Sequence, residues 1–497
     1  MLFNSLTFIF IFLPVVFLVF IVLERFKLYK SALFWLTISS FYFYGYWQPK
    51  YILLIVGSII CNYTLSRVIN TGVYYRRIIL IIGVAGNLSL LGYFKYTDFL
   101  ISSISSVVDL NISGQNIILP LAISFFTFQQ IAYLVDVYRG LVKEHNFLNY
   151  CLFVTFFPQL LAGPIVHHSE MMPQFLGKYK LINYDLISKG IFIFCIGLFK
   201  KIVVADFFGT WADIGFADVS VLTTTQAWIT SFSYTFQIYF DFSGYTDMAI
   251  GIALIFGIQL PENFNSPYKA KNIIDFWRRW HITLSRFLRD YLYIPLGGNR
   301  KGLFLKGINI MVTMVLGGLW HGASYTFIIW GFLHGTYLLI NHLWVYISNL
   351  NLAFVSKNNS PLGSYISHVI TFIAVVFAWI FFRAASVSDA CIVVKKLFNT
   401  SQAVSYSFSF VDIENYFKND QISFAQYLFI NPDGQLICMF FLIIAYLVVI
   451  FFKNSNQLVE IFLPTLSKAA FVAITLVILI TLNVYMVTPN DFLYYRF

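Results

Sequence analysis

The chain has 497 residues, 59% of them hydrophobic and 11% charged, with a mean hydropathy of +0.76. That is too little polar surface to coat a water-facing globule, so a soluble globular protein is excluded. The net charge of +10 reads first as the basic cytoplasmic loops of a membrane protein rather than as a nucleic-acid surface.

In chain order, residues 5–23 form the first apolar, charge-free stretch, close to the roughly 20 residues that cross a bilayer as helix. No basic residue precedes it, and Glu24, Arg25, Lys27 and Lys30 follow. The positive-inside rule then predicts an N-terminus outside and a first loop in the cytoplasm. No small-residue cleavage site follows, so the segment reads as an uncleaved span rather than a signal peptide. Comparable runs at 365–382, 436–452 and 469–489, with shorter ones between, predict an all-α polytopic membrane protein of about eleven transmembrane helices. The runs are continuously apolar rather than alternating, which excludes a porin-type barrel. Five cysteines lie scattered with no Cys-x-x-Cys pair. They read as small packing residues, and neither a disulfide nor a metal site is expected. No internal repeat is visible, and one domain over residues 1–497 is expected.

The basic residues cluster late. Lys269, Lys271, Arg278, Arg279, Arg286, Arg289, Arg300, Lys301 and Lys306 are opposed only by Asp275 and Asp290. On a helical wheel Ile273, Phe276, Trp277, Trp280, Leu284, Phe287 and Tyr291 share one stripe, while Arg278, Ser285 and Arg289 face away. FWRRWHITLSRFLRDYLYIPLGG therefore predicts one amphipathic helix at the cytoplasmic interface, ended by Pro295 and the Gly297–Gly298 pair. His281 falls at the edge of its apolar stripe. Such a surface anchors at lipid headgroups, or docks a phosphorylated nucleotide carrier through guanidinium forks and stacking rings.

Residues 307–356 then carry no Asp, Glu, Lys or Arg, yet hold His321, His334 and His342. His321, in GGLWHGASYTF, lies 15 residues beyond Lys306, about 22 Å along a straight helix. A polar ring at that depth must face the bundle interior or a water-filled passage. Gly317, Gly318 and Gly322 around it permit a break or a close helix approach. His334 and His342, beside Thr336 and Asn341, read as structural. Neutral imidazole is well matched to taking a proton from a hydroxyl and returning it to a leaving group. Two histidines, one deep and one at the basic rim, suit acyl transfer between partners from opposite faces. No Gly-x-Ser-x-Gly elbow exists, which favours direct attack by the acceptor hydroxyl over a serine acyl-enzyme.

Residues 384–435 are the most polar part and predict an extramembrane excursion with turns and short helices. Residues 436–497 return to apolar helices and end in FLYYRF, which reads as an interfacial aromatic belt.

The run from YFDFSGYTDMAIG through FWRRWHITLSRFLRDYLYIPLGGNRKG, followed by GGLWHGASYTFIIWG, resembles the signature region of the membrane-bound O-acyltransferase family. It is most similar to the bacterial branch of alginate O-acetylases and other cell-envelope acyltransferases. ISFFTFQQIAYLVDVYRG and FFPQLLAGPIVHHSEMMPQ upstream also resemble that branch, and the likeness covers about residues 40–385. The resemblance implies His321 of Trp-His-Gly as the catalytic histidine and His281 of Arg-Trp-His as its support. It implies helices around a central funnel or tunnel, a cytoplasmic acetyl donor of acetyl-CoA type, and an extracytoplasmic glycan acceptor. A periplasmic, membrane-anchored, esterase-like partner in a bacterial inner membrane is implied too, with no bound cofactor. Tyr494 in the tail resembles an acyl-carrying tyrosine of the D-alanine-transferring members.

On this reading Trp280 or Trp320 donates an indole N–H to the oxyanion, and Arg278, Arg279, Arg286 and Arg289 hold the donor. A transporter or flippase for a lipid-linked sugar is the alternative, with His321 in a proton relay. The scarcity of membrane-embedded Asp and Glu argues against it. No Asp-x-Asp pair occurs for a glycosyltransferase, and no histidine has an Asp five residues on, as a soluble-type acyltransferase would need.

Overall fold

The computed structural model describes residues 1–72, 74–108, 114–142, 146–176, 183–300, 302–349, 361–399, 424–485 and 492–493. Among them every regular element is helical. The helices are α1 (Leu13–Arg25), α2 (Tyr29–Gly45), α3 (Tyr51–Asn70), α4 (Arg76–Val108), α5 (Ile123–Tyr138), α6 (Phe147–Thr155), α7 (Phe157–Leu160), α8 (His168–Leu176) and α9 (Tyr184–Phe199). They continue with α10 (Asp206–Ala217), α11 (Thr224–Ile255), α12 (Ile273–Arg279), α13 (Ile282–Leu288), α14 (Gly302–His321), α15 (Tyr325–Asn349) and α16 (Pro361–Arg383). The last are α17 (Val387–Leu397), α18 (Phe424–Ile430), α19 (Pro432–Phe451), α20 (Ser455–Glu460) and α21 (Leu466–Tyr485).

Six stretches among the described residues are long and apolar enough to cross a membrane: Phe8–Arg25, α3, α4, α14, α16 and Gly434–Phe451. Other long helices miss that mark because they carry more polar side chains. In α11, for example, Thr230, Ser231, Ser233, Thr235, Gln237, Asp241 and Ser243 are all buried. With no water to bond in the hydrocarbon, such groups belong inside protein.

The described chain packs as two units. The first comprises Met1–Leu198, Tyr245–Glu262 and Val459–Arg496. Here Asn62 of α3 and Asn87 of α4 exchange side-chain amide bonds of 3.2 and 2.6 Å, polar glue between neighbouring helices. Phe492 stacks on Tyr245 at 4.4 Å between ring centroids.

The second unit comprises Phe199–Gly244, Asn263–Leu458 and Phe497, and holds both candidate histidines. Its core pairs α14 with α15. A Cβ at Gly318 would run into the Phe327 carbonyl, and one at Gly331 into the Met314 carbonyl. The two backbones therefore touch, as small residues allow. A buried Lys201 ammonium reaches Asp206 at 2.7 Å and Asp241 at 2.8 Å, so a cation is neutralised where an isolated one would be costly.

The single amphipathic helix expected over the basic segment is broken in two. Asn272 caps α12 by accepting from the Asp275 N–H at 2.9 Å, and Asp275 leads while Arg278 and Arg279 trail, which suits the helix dipole. Trp280 is then extended, and His281 takes a left-handed conformation at φ 43° before α13 begins. Of the excursion predicted at 384–435, α17 is seen with Ser386 as its cap, while residues 400–423 lie outside the described residues.

Candidate active site

The break at His281 has a tertiary cause. Asn263 is fully buried, and its backbone carbonyl accepts from the Ile282 N–H at 3.0 Å. Its side-chain Oδ1 accepts from the Thr283 N–H at 3.3 Å and from Thr283 Oγ1 at 2.8 Å. One residue thus caps the start of α13 from a distance. The same Oδ1 lies 3.0 Å from His281 Nδ1. Because the Thr283 backbone N–H can only donate, the atom it meets must be the amide oxygen. His281 Nδ1 therefore carries the proton, and in the neutral ring Nε2 keeps its lone pair. The Asn263 amide nitrogen, on the same group, donates to nothing among the described residues.

The sequence put His281 at the edge of an interfacial helix. It is instead 0% exposed, with the Phe242 ring edge-on at 4.8 Å. Once the helix breaks, the ring no longer follows the wheel and turns inward.

His321 is 5% exposed and is the last residue of α14. Trp320, Trp330 and Phe382 surround it at 5.0, 5.1 and 5.1 Å between ring centroids. Its ring centroid lies 6.4 Å from that of His281, so one small reacting group can touch both. The negative end of the α14 dipole lies at the ring that would carry a proton in a transition state.

Of the two tryptophans singled out for an oxyanion, Trp320 approaches both histidines, at 5.0 and 6.2 Å. Trp280 packs instead on Phe276, Trp379 and Phe264 and meets neither.

The arginines divide too. Arg278, Arg286 and Arg289 line an open cavity of about 540 Å³ with Trp277, Ser285, Tyr293, Asn299 and His342. Apolar Ile310, Met314 and Leu338 line it as well. Lys306 donates to His342 Nδ1 at 3.3 Å, adding a cation at this wall. Arg289 pairs with Asp290 at 2.7 and 3.1 Å, and that bond pushes its guanidinium pKa up. Arg279 is elsewhere: it is tied to Asp275 at 2.8 Å and to the Asn265 carbonyl at 3.2 Å, and does not line the cavity. An i, i+4 acidic neighbour was the sequence signal for that. Tyr494 lies outside the described residues.

Sequence reasoning missed Asn263, whose only signal was its place in the Pro-Glu-Asn-Phe-Asn turn. It also missed Trp330 and Phe382, hidden because aromatic residues are common throughout the chain. Among the described residues no group of three or more His, Cys, Asp or Glu side chains could hold a metal.

Comparison with known proteins bears on this arrangement. Residues 138–384 match the membrane-bound O-acyltransferase family, MBOAT. The chain is 44% identical over 493 residues to a peptidoglycan O-acetyltransferase of Helicobacter pylori, covering 93% of this chain and 91% of that one. It is 42% identical over 400 residues to a probable alginate O-acetylase of Pseudomonas aeruginosa, covering 78% and 73%. A teichoic acid D-alanyltransferase of Bacillus subtilis is 31% identical over 228 residues, covering 44% and 58%. The chain is a multi-pass membrane acyltransferase and belongs to the membrane-bound O-acyltransferase family.

Proposed function

We propose that this chain is an O-acetyltransferase of a bacterial inner membrane. It moves an acetyl group from cytoplasmic acetyl-CoA to hydroxyls of an extracytoplasmic cell-envelope glycan, directly or through a periplasmic esterase-like partner. The relative matched over nearly its whole length acts on peptidoglycan by name, so peptidoglycan is the acceptor we assign. The observation that carries the reading is the pair of buried imidazoles 6.4 Å apart in the unit whose open cavity is lined by three arginines.

In this reading the cavity arginines hold the donor phosphates. His321 takes the proton from the attacking hydroxyl as its oxygen bonds to the thioester carbon. The C–S bond breaks, and the thiolate leaves with that proton. The lone pair on His281 Nε2 steadies the proton or the thiol. Trp320 and the Asn263 amide donate N–H groups to the developing oxyanion. Tyr494 serves as an acyl relay to the partner, which Tyr494→Phe tests by removing only the hydroxyl.

The test is purified protein in sealed vesicles, with acetyl-CoA on one face and glycan fragments on the other. We expect acetyl ester in the fragments and matching release of free CoA. CoA release no faster than that of His321→Ala would sink the donor assignment.

A further inference from the structure

Trp330, His334, Leu338 and His342 occupy successive turns of α15. Leu338 and His342 line the arginine cavity, while Trp330 lies against His321. At 1.5 Å per residue this stripe spans about 18 Å, from the cavity to the ring of His321. His334 stands in the middle of it.

His334 is fully buried in an aromatic box. Trp330 lies at 4.8 Å, Trp277 at 5.2 Å, and Phe276 is stacked at 6.0 Å. Neither of its ring nitrogens hydrogen-bonds to any described group, and the indole N–H groups of Trp277 and Trp330 are unmatched as well. A histidine held for structure looks different in this protein. His368 bonds through both nitrogens, to the Ala270 carbonyl at 3.1 Å and the Tyr446 hydroxyl at 2.9 Å. Unmet buried donors and acceptors destabilise a fold, and each calls for an explanation. Here four such atoms, on His334, Trp277 and Trp330, lie together, and Trp277 itself lines the cavity.

We propose that His334 binds the amide-bearing arm of the acyl donor, with the Trp277 and Trp330 indoles as further donors along the same face. The inference rests on the acetyl-CoA reading above. A neutral imidazole offers one N–H and one lone pair. A secondary amide of a pantetheine-type arm offers one carbonyl and one N–H, so the two are matched. The methylene segments of such an arm suit the aromatic walls. Half-buried Trp277 both lines the cavity and lies against His334, so the arm enters past it. His334 is a donor-binding residue that sets which thioesters reach His321, and it takes no proton from the acceptor.

The test compares two donors in vesicles: acetyl-CoA and the acetyl thioester of a simple alkyl thiol without amides. His334→Phe keeps the packing and removes both polar groups. We expect its KM for acetyl-CoA to rise roughly tenfold or more, with kcat little changed, and its loss on the alkyl thioester to be far smaller. His334→Gln, which restores a donor and an acceptor, should recover most of the acetyl-CoA affinity. Trp277→Phe should show the same donor-selective loss and serves if the His334 variant fails to accumulate. Equal losses on both donors, or none on acetyl-CoA, overturn the proposal. A wild type active on acetyl-CoA with an unaffected His334→Phe overturns this inference alone. A wild type inert to acetyl-CoA overturns the donor reading and this one with it.

Discussion

Asn263 does two jobs with one side chain, ending the loop that starts α13 and setting the His281 tautomer. Its replacement should therefore touch chemistry more than donor binding. We expect Asn263→Ala to lower kcat roughly 5- to 150-fold, the equivalent of about 1–3 kcal/mol of lost bonding, with KM for the donor little changed. Asn263→Asp keeps an acceptor oxygen and should restore part of the rate. A rise in KM at constant kcat would show that Asn263 acts on binding instead. At this scale His321 was singled out because a polar ring in an uncharged apolar run stands out, and His281 because a long motif surrounds it. Asn263 was not: its bond to His281 joins residues 18 apart through a loop, and no periodicity reports such a contact. The same contact explains why the depth of His281 was misread.

Among the elements, the α14–α15 hairpin sets the position of His321 by backbone contact. Gly318→Ala would press a Cβ on the Phe327 carbonyl, which cannot yield as a side chain can. Overpacking of this kind costs about 1–3 kcal/mol, so Gly318→Ala should melt earlier in detergent and lose transfer activity. Gly307→Ala, whose Cβ would find Leu339 at an ordinary 3.4 Å, should match the wild type in both. An unchanged melting point for Gly318→Ala would show that the helices can separate without cost. The glycines were read from the sequence as permitting either a break or a close approach, and the structure shows both: backbone contact at Gly318 and the end of α14 at His321, just before Gly322. A break that no glycine marks falls at Trp280 and His281, because capping by Asn263 outweighs an unbroken apolar stripe. Wheel arguments see only the neighbours along one helix.

For the whole molecule, composition already gave an all-helical polytopic protein, since apolar length alone carries that signal. It could not sort the basic residues, because sign and spacing do not say which carboxylate an arginine meets. Arg278 and Arg286 line the cavity, whereas Arg279 is bound to Asp275. Arg278→Gln with Arg286→Gln should raise the donor KM about tenfold or more, since bonds to charged groups are worth about 1.5–3 kcal/mol. It should also flatten the dependence of KM on salt. Arg279→Gln should leave both near wild type. Equal effects of the two changes would mean the segment binds lipid rather than donor.

The central claim is that His321 performs transfer to the envelope glycan. It is tested most directly in cells, where donor, acceptor and any partner are all present. Base-labile acetyl esters on peptidoglycan fragments are quantified by mass spectrometry from strains carrying wild type or His321→Ala at equal membrane abundance. A positioned base contributes roughly 10²–10⁴ in rate, so the variant should show esters at the level of a strain lacking the protein. Wild-type ester content in the His321→Ala strain would contradict the account.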